Sequence, residues 1–454
     1  MTNDDPIAAI ATASGRGSIG VIRVSGKNLQ NFFQAITAGF TPSPRSAHYL
    51  PILDADGSLI DQAIVIYFQA PQSYTGEDVV ELQGHGGPAV MQLLLKRCLT
   101  IGQSIGLRLA EPGEFTLRAF LNDKLDLAQA EAVADMIEAS STAAAKAAAA
   151  SLSGTFSREI EKLALSITEV RILVEATLDF PEEEIEFIEK YQVRSRLASI
   201  KEQLDVVLTT SRQSSYLKEG LKVVLAGEPN VGKSSLLNAI FGQDIAIVTD
   251  IAGTTRDRIR ETLDIDGVPI LMTDTAGLRQ TTDKIEAIGI ERSWQAIAEA
   301  DLILDIVDAR QPNSLLEQWP NQPELANKAI VRVNNKSDLI NEKSIHLEEI
   351  GEKIMVSAKS GYGIDRLKSL ILAKAGRQLG DVSPWLGRQR HVLALESASR
   401  HLDRAIEHAM YDDRVLDLLA EELRLAHDEL GTITGTVSAD DMLGHIFSSF
   451  CIGK

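Results

Sequence analysis

Cysteine is scarce in this sequence: 454 residues contain two, Cys98 and Cys451. Two thiols provide neither a disulfide framework nor the ligand set of a zinc site, which indicates a protein of a reducing compartment. Cys98 lies in the helical apolar pattern VMQLLLKRCL, where core packing is its expected role. Cys451 stands close to the chain terminus, where chains usually fray. It therefore belongs either to a frayed tail or to a docked, reactive one.

Long apolar runs and excess positive charge are also missing. No apolar run reaches the roughly 18 residues that span a bilayer, and MTNDDPIAAI has no basic region before its apolar one, so we expect a cytoplasmic protein without anchor or signal. The net charge of −19 argues against broad electrostatic contact with nucleic acid. The first 118 residues carry 8 basic and 10 acidic side chains, net −2, so this part can still bind an anionic ligand.

A phosphate-binding loop is the clearest positive feature. In KVVLAGEPNVGKSSLLNAI, the β-rich run from Lys222 to Ala226 leads into Gly-x4-Gly-Lys-Ser and then an apolar helix, the context that this motif requires. Backbone N–H groups of the loop and the helix N-terminus bind phosphate oxygens, Lys233 reaches the β- and γ-phosphates, and the Ser234 hydroxyl binds Mg²⁺. The alternative is a glycine turn that only connects strand to helix, and it does not account for the full motif.

Three later stretches predict that the nucleotide is GTP. DTAG, from Asp274 to Gly277, closes the strand VPILMTD, where the carboxylate can hold a Mg²⁺-bound water and the glycine N–H can meet the γ-phosphate. NKSD, which begins at Asn335, closes the strand AIVRVNN, and the Asp338 carboxylate can accept the N1–H and N2–H of guanine, which adenine lacks. SAK, which begins at Ser357, completes the base pocket. The four motifs in this order predict a GTPase domain.

Periodicity predicts the architecture around these motifs. Strands and helices alternate from about Lys222 to Leu379, which is typical of a doubly wound α/β sheet with ligands at the carboxyl ends of its strands. The DG turn between ETLDI and VPILM predicts a hairpin and one antiparallel strand pair. The runs IAAIAT, SIGVIRV, QAIVIYF and VVELQG with a helix at MQLLLKRCL predict an α+β domain over residues 1–118.

The remaining sequence is predicted to be helical. The helical pattern runs from Leu121 to about Leu217 and returns from Arg388 to His427. One helical face repeats apolar residues at Leu163, Ile167, Val170 and Val174. The GTPase domain therefore interrupts one helical domain, which allows its movements to pass to the helices at both junctions.

The groups that hydrolyse GTP are less clearly marked. Leu278 follows DTAG, so the glutamine that orients water in Ras-like enzymes is missing, and no arginine finger can be assigned. Asn230 and backbone carbonyls of IVTDIAGTTRD can instead cage a monovalent cation. Thr254 and Thr255 are both candidates for the cation or for Mg²⁺. The acidic candidates in the segment after DTAG are Asp283, Glu286 and Glu291.

These motifs together carry a family resemblance. GEPNVGKSSLLN, GTTRD, DTAGLR, NKSD and SAK follow YTGEDVVELQGHGGP and AEPGEFTLRAFLNDKLDLAQAEAVADMI and precede the terminal FCIGK. The sequence resembles the MnmE (TrmE) family of GTPases that modify the wobble uridine of tRNA. The resemblance implies a multidomain α/β protein: an α+β folate-binding and dimerisation domain at 1–118, an all-α helical domain at 119–217 and 381–454, and an inserted doubly wound Ras-like P-loop GTPase domain at 218–380.

The resemblance also implies an activity and partners. Members hydrolyse GTP with K⁺ activation as homodimers, and they form a heterotetramer with MnmG (GidA), a partner that uses FAD and NADH. The complex acts on tRNA, where it adds an aminomethyl or carboxymethylaminomethyl group to carbon 5 of the wobble uridine. The one-carbon unit comes from 5,10-methylene- or 5-formyl-tetrahydrofolate, which the N-terminal domain binds.

Site residues follow from the resemblance position by position. The Mg²⁺ ligands are Ser234 and Thr255, and the catalytic glutamate is Glu286. The implied K⁺ ligands are Asn230, Thr249, Ile251 and Thr254. The GTP site as a whole comprises Asn230, Val231, Gly232, Lys233, Ser234, Ser235, Thr249, Asp250, Ile251, Ala252, Gly253, Thr254, Thr255, Asp274, Thr275, Ala276, Gly277, Asn335, Lys336, Asp338, Ser357, Ala358 and Lys359.

The resemblance also gives the terminal FCIGK a role. The C-x-G-K stretch is implied to fold back to a folate pocket, whose contacts are Arg23, Glu81, Lys124 and Lys454. Cations suit the folate glutamate tail, and the carboxylate suits the donors of a pterin ring. Cys451 is then either a catalytic group in the one-carbon chemistry or a buried helper.

Two other functions share the nucleotide motifs. A ribosome-assembly GTPase would normally carry an RNA-binding module with a basic face, and this acidic sequence shows none. A regulatory switch GTPase without chemistry of its own would need neither a folate-binding domain nor Cys451. Binding of a reduced folate would distinguish a tRNA-modification GTPase from both alternatives.

Overall fold

The computed structural model describes residues 5–179, 191–242, 260–274, 293–318, 322–325, 328–340, 353–374, 383–411, 415–436, 440–448, 450 and 453. The chain divides into two compact units. Unit 1 comprises Met1–Ala134, Leu152–Pro181 and Leu416–Lys454, and unit 2 comprises Asp135–Ser151 and Glu182–Val415. Each unit is assembled from separate stretches of sequence. The four domain boundaries taken from the sequence stay a prediction.

The elements are numbered in chain order. The strands are β1 Ile7–Ile10, β2 Ile19–Gly26, β3 Ala47–Leu53, β4 Leu59–Phe68, β5 Asp78–His85, β6 Arg108–Leu109, β7 Leu221–Ala226, β8 Arg260–Ile265, β9 Val268–Asp274, β10 Leu302–Asp308, β11 Ala329–Asn335 and β12 Lys353–Met355. The helices are α1 Gln30–Ile36, α2 Pro88–Gly102, α3 Glu114–Leu121, α4 Leu127–Glu138, α5 Thr142–Leu152, α6 Thr155–Asp179, α7 Val193–Glu219, α8 Lys233–Phe241, α9 Ile364–Lys374, α10 Gln389–His408, α11 Leu416–Thr434 and α12 Asp440–Ser448. Among the residues described, no helix has the length and apolar character needed to cross a membrane.

The N-terminal part of unit 1 is built on one mixed sheet. Its strands lie in the order β3-β4-β5-β2-β1-β6, and only the β1–β6 pair is parallel. Strand β4 alternates buried and more exposed residues, and Ala63 and Val65 point into the core. Helices α1 and α2 bring Phe33, Leu94 and Cys98 into the same core. The predicted α+β fold is confirmed.

Helices complete unit 1. Helix α6 packs along α11, and the predicted apolar face of α6 is buried, because Leu163, Ile167, Val170 and Val174 are at most 2% exposed. This 3.6-residue periodicity supports the helix through tertiary burial rather than through propensity.

The helix expected from Arg388 to His427 is present as two helices, α10 and α11.

Unit 2 contains the predicted doubly wound sheet. Its strand order is β12-β11-β10-β7-β9-β8, and every neighbouring pair is parallel except β8–β9. Asp266 and Gly267 have φ of 50° and 78°, as the hairpin turn requires, so the predicted DG hairpin is confirmed. Parallel pairing brings the carboxyl ends of β7, β9, β10 and β11 to one edge of the sheet.

The segment that leads from the sheet into α10 is bonded to two helices of unit 2. Trp385 Nε1 donates to Ser211 Oγ at 3.1 Å, and the Gly387 N–H donates to Ser214 Oγ at 2.8 Å, both on α7. The Leu386 N–H donates to Ser151 Oγ on α5 at 2.9 Å. These buried bonds fix the second junction of the inserted sheet to the helices.

Two aliphatic residues on α6 test its buried face. Ile167 is fully buried and Leu165 is 64% exposed. Ile167→Ala should lower the free energy of unfolding by about 2–5 kcal/mol, because a buried cavity is left behind. Leu165→Ala should change it by less than about 0.5 kcal/mol. Urea unfolding followed by circular dichroism measures both, and equal losses would contradict the packing described for α6.

Candidate functional site

The phosphate-loop motif joins β7 to α8 at the carboxyl edge of the sheet in unit 2. Asn230 and Gly232 have positive φ, at 66° and 97°, so the loop turns sharply before the helix. Lys233 Nζ donates to the carbonyl of Gly227 at 2.8 Å and to that of Glu228 at 3.2 Å. The ammonium group therefore lies within the loop.

Asn335 joins three of the predicted motifs. Its side chain, in a residue only 1% exposed, donates from Nδ2 to the carbonyl of Val231 in the phosphate loop at 2.9 Å. Its Oδ1 accepts the N–H of Ala358 in SAK at 3.1 Å. The next residue, Lys336, donates from Nζ to the carbonyl of Asn230 at 2.6 Å. The loop expected to bind the base is thus hydrogen-bonded to the loop expected to bind phosphate.

The Asp338 carboxylate is held from one side. Ser357 is buried and its hydroxyl donates to Asp338 Oδ1 at 2.6 Å. The Ser337 N–H donates to the carbonyl of Val356 at 3.1 Å, which ties the turn carrying Asp338 to the segment carrying Ser357. A carboxylate held in this way presents its remaining acceptor positions in a fixed direction. An exposed carboxylate of this kind keeps acceptor positions for further donors.

Asp308 contacts the NKSD loop through Lys336, and it was not identified from the sequence. It is the last residue of β10, directly opposite Asn335 in the sheet register. Its Oδ2 lies 3.0 Å from Lys336 Nζ and 2.7 Å from Arg310 Nη2. Hydrogen bonds from Arg310 above all, then from Lys336, hold the pKa of Asp308 below its usual value. Its only signal in the sequence is an acidic residue at the end of an apolar strand.

The described residues cover much of the predicted GTP site. The sheet and its loops bring Asn230, Val231, Lys233, Asn335, Lys336, Asp338, Ser357 and Ala358 to one edge, while Gly232, Ser234, Ser235 and Lys359 lie on the same loops and helix start. Only the backbone of Asp274 is described, at the end of β9. The predicted residues outside the described range are Thr249, Asp250, Ile251, Ala252, Gly253, Thr254, Thr255, Thr275, Ala276, Gly277 and Glu286.

A second candidate site lies on the sheet of unit 1. Arg23 on β2 and Glu81 on β5 are opposite each other in the register, and Arg23 Nη2 lies 2.9 Å from Glu81 Oε1. The guanidinium carbon also stands over the rings of Tyr74 and Phe115, at 5.3 and 5.7 Å from their centroids. Such stacking favours a cation. Burial raises the pKa of Tyr74, whose hydroxyl is bonded to Thr116. Both rings were missed in the sequence, although they belong to the quoted stretches YTGEDVV and GEFTLR.

Lys124 lies on a segment that is bonded to the loop before β5. Its Nζ donates to the carbonyl of Pro71 at 3.1 Å, and Asn122 Nδ2 donates to the carbonyl of Thr75 at 2.7 Å. A β-carbon on Gly76 would lie 2.9 Å from Asn122 Cβ, so this glycine permits the close approach. The bonded loop leads into the strand that carries Glu81.

The C-terminal tail is docked where it is described. Phe447 and Phe450 are 3% and 7% exposed and pack with Leu127 and Ala130 of α4. A β-carbon on Gly453 would lie 2.5 Å from the carbonyl oxygen of Ile10, so the tail backbone lies directly against β1. Phe447, Phe450 and Gly453 are therefore not frayed. Cys451 and Lys454 lie outside the described residues.

The other thiol has the packing role expected from the sequence. Cys98 is fully buried in the core of the unit 1 sheet, next to residues of α2 and β5. Burial raises the pKa of its thiol to about 12. A thiol in this state does not form the reactive thiolate at neutral pH.

Comparison with known proteins decides the family. The model of the GTP-binding protein TrmE N-terminus matches residues 6–124, and the model of the MnmE helical domain matches residues 127–451. The chain belongs to the MnmE family. The tRNA modification GTPase MnmE of Bordetella avium is 58% identical over 100% of both chains, and that of Ralstonia nicotianae is 55% identical over 99% of this chain and 96% of its own.

One further full-length relative and one solved structure complete the comparison. The MnmE of Paraburkholderia xenovorans is 53% identical over 100% of this chain and 99% of its own. Among solved structures, that of Aquifex aeolicus Era Y63A bound to GDP.AlF4− is 28% identical over 39% of this chain and 65% of that chain, with a TM-score of 0.27. The family resemblance seen in the motifs is confirmed by the full-length relatives.

Gly232 tests the contact between the two nucleotide loops. A β-carbon there would overlap Asn335 Nδ2 at a φ that L residues rarely adopt. Gly232→Ala should displace the phosphate loop and weaken GTP binding at least about tenfold. Gly361→Ala is the matched control, because φ is also positive there but no atom lies within 4 Å of the added carbon. Fluorescent GTP titration measures both, and equal affinities in the two variants would contradict the contact.

Proposed function

We propose that the protein is a GTP hydrolase that acts in the modification of tRNA. The main support for GTP binding is the pair of hydrogen bonds that Asn335 makes to Val231 and to Ala358. These bonds bring the phosphate loop, NKSD and SAK into one site. The name that its full-length relatives share, tRNA modification GTPase, supports the role in tRNA modification. GTP is the substrate. The four segments predicted from the sequence are the proposed domains of the protein.

Selection of guanine rests on Asp338. The Ser357 hydroxyl occupies one carboxylate oxygen at 2.6 Å and thereby limits rotation of the group. The remaining acceptor positions bind the N1–H and N2–H of guanine. ATP offers no such pair of donors and would leave these remaining acceptor positions without partners, which is the kind of loss that gives strong discrimination.

Two cations are proposed at the phosphate loop. Ser234, exposed at the second position of α8, fits a Mg²⁺ ligand together with Thr255. Asn230 is exposed and has a left-handed backbone conformation. Its amide oxygen is a hard ligand atom that suits K⁺, and the other proposed K⁺ ligands are Thr249, Ile251 and Thr254. Cations held by these residues would offset the negative charge of the phosphate oxygens.

The chain's own groups share the rest of the hydrolytic step. Lys233 binds the β- and γ-phosphates, and the N–H groups at the start of α8 orient them. Glu286 is proposed to orient the attacking water, because Leu278 replaces the glutamine of Ras-like enzymes. The remaining predicted GTP contacts stay predictions of the family motif.

The unit 1 sheet is proposed to bind a reduced folate. Glu81 accepts donors of a pterin ring, and Arg23, which contacts two aromatic rings, binds carboxylates of the folate glutamate together with Lys124 and Lys454. The donor is 5,10-methylene- or 5-formyl-tetrahydrofolate. The docking of Gly453 against β1 supports a tail that reaches this sheet, because Ala9 of β1 is opposite Arg23 in the register.

The proposed assembly follows from the family. The protein acts as a homodimer and joins an FAD-dependent partner, MnmG (GidA), in a heterotetramer that modifies carbon 5 of the wobble uridine in the cytoplasm. The net charge of −19 supports a division of labour in which the partner provides much of the tRNA contact. Cys451 takes part in the one-carbon step, since Cys98 is buried and unreactive.

The K⁺ site predicts a salt effect on hydrolysis. At equal ionic strength, GTP hydrolysis should be at least about tenfold faster in KCl than in NaCl, because K⁺ stands where an arginine finger would otherwise act. Asn230→Ala should erase this difference. Asn313→Ala, an exposed asparagine in unit 2, should retain it. Phosphate release measured in both salts is the assay, and equal wild-type rates would remove the cation model.

The tail predicts a separation of activities. Cys451→Ser should leave GTP hydrolysis and binding of 5-formyl-tetrahydrofolate nearly intact and abolish wobble-uridine modification in the presence of the FAD-dependent partner. Deletion of residues 450–454 should weaken folate binding as well, because Phe450 and Gly453 anchor the tail. All three activities are measured on both variants. If the Cys451→Ser variant modifies tRNA at the normal rate, the thiol of Cys451 has no part in the reaction.

A further inference from the structure

At the carboxyl end of β10, Asp308 and Arg310 are charged residues outside the nucleotide motifs, and Asp308 contacts Lys336 of NKSD. Asp308 receives four hydrogen bonds from two cationic residues. Its Oδ1 accepts the backbone N–H of Arg310 at 3.1 Å and Arg310 Nε at 3.0 Å, and its Oδ2 accepts Arg310 Nη2 at 2.7 Å and Lys336 Nζ at 3.0 Å. Its side chain is only 16% exposed, whereas that of Arg310 is 52% exposed.

Lys336 connects this carboxylate to the phosphate loop. The same ammonium group that contacts Asp308 also donates to the backbone carbonyl of Asn230 at 2.6 Å. Asn230 has a φ of 66°, a conformation that costs free energy in a residue with a side chain and persists only where neighbours hold it. Asp308, Lys336 and Asn230 therefore form one continuous hydrogen-bonded chain.

The charge of Asp308 matters as much as its geometry. Asn230 is the residue proposed to bind K⁺, yet the ammonium group of Lys336 lies 2.6 Å from the carbonyl oxygen of the same residue. Two cations side by side repel each other, and the repulsion is considerable near a protein surface. The carboxylate of Asp308 offsets the charge of Lys336 and thereby reduces this repulsion.

We propose that Asp308 is a positioning residue for the monovalent-cation site. It holds Lys336 against the Asn230 carbonyl, which fixes the left-handed turn that aims the Asn230 amide, and it offsets the positive charge of Lys336, which would oppose a cation there. Arg310 binds both carboxylate oxygens and fixes the rotation of Asp308. This inference rests on the proposed K⁺-dependent hydrolysis of GTP.

The decisive variant is Asp308→Asn, which keeps the shape of the side chain and removes its charge. GTP hydrolysis is measured over a range of KCl concentrations at constant ionic strength. The concentration of K⁺ for half-maximal activation should rise at least about fivefold, with the rate at saturating K⁺ close to that of the wild type. Asp308→Glu should restore most of the K⁺ affinity. Asp365→Asn, an exposed carboxylate on α9, is the control and should change neither value.

Two further readouts separate positioning from a general loss of structure. Hydrogen–deuterium exchange of the nucleotide-free protein should be faster in Asp308→Asn over the peptide that contains Asn230 and Gly232, and unchanged over α6. GDP affinity in NaCl should stay within about twofold of the wild type. A variant with weaker GDP binding in NaCl and unchanged half-activation by K⁺ would overturn the inference, because Asp308 would then serve nucleotide binding or folding.

The outcomes also distinguish this inference from the proposed function. A wild-type protein that hydrolyses GTP equally fast in KCl and NaCl would overturn both the K⁺ site and the role of Asp308. A wild type activated by K⁺, together with an Asp308→Asn variant of unchanged half-activation and unchanged exchange at the phosphate loop, would overturn only the role of Asp308.

Discussion

Hydrogen bonds between the loop after β11 and the phosphate loop organise the nucleotide site. Asn335 and Lys336 donate to the carbonyls of Val231 and Asn230, which are more than 100 residues earlier in the chain. The two loops carry the groups for opposite ends of the nucleotide, base and phosphates, and these bonds set the distance between them. A site held in this way by the protein itself loses less conformational entropy when GTP binds.

The sheet of unit 1 also holds its polar groups in fixed positions, but with a charged pair and aromatic rings. A charged pair, Arg23 and Glu81, lies across two neighbouring strands, and the rings of Tyr74 and Phe115 restrict the guanidinium group. Polar groups fixed on a rigid sheet recognise a ligand more precisely than groups on loops. The tail reaches the adjoining strand through Gly453, where only glycine permits so close a contact. Fixed scaffold positions thus support both proposed sites.

Local signals in the sequence predicted most of the fold, and contacts between distant segments could not be predicted. The strand, glycine loop and helix of the phosphate site are consecutive, and the DG turn marks its own hairpin. Strand β3 was missed because Pro51 breaks the pattern, although proline is tolerated on an edge strand such as this one. Tyr74 and Phe115 meet Arg23 only once strands and α3 have assembled. Asp308 meets Lys336 only through the register of β10 and β11.

The nucleotide specificity that Asp338 provides tests the central claim most directly. That claim is that the loop after β11 binds the guanine base. Equilibrium binding of GTP and xanthosine triphosphate is measured on the wild type and on Asp338→Asn. Xanthine has an acceptor where guanine has the N2–H donor, so the variant should lose GTP affinity and gain affinity for xanthosine triphosphate, since an amide offers the donor that this acceptor needs. Unchanged preference for GTP in the variant would contradict the assignment of the base site.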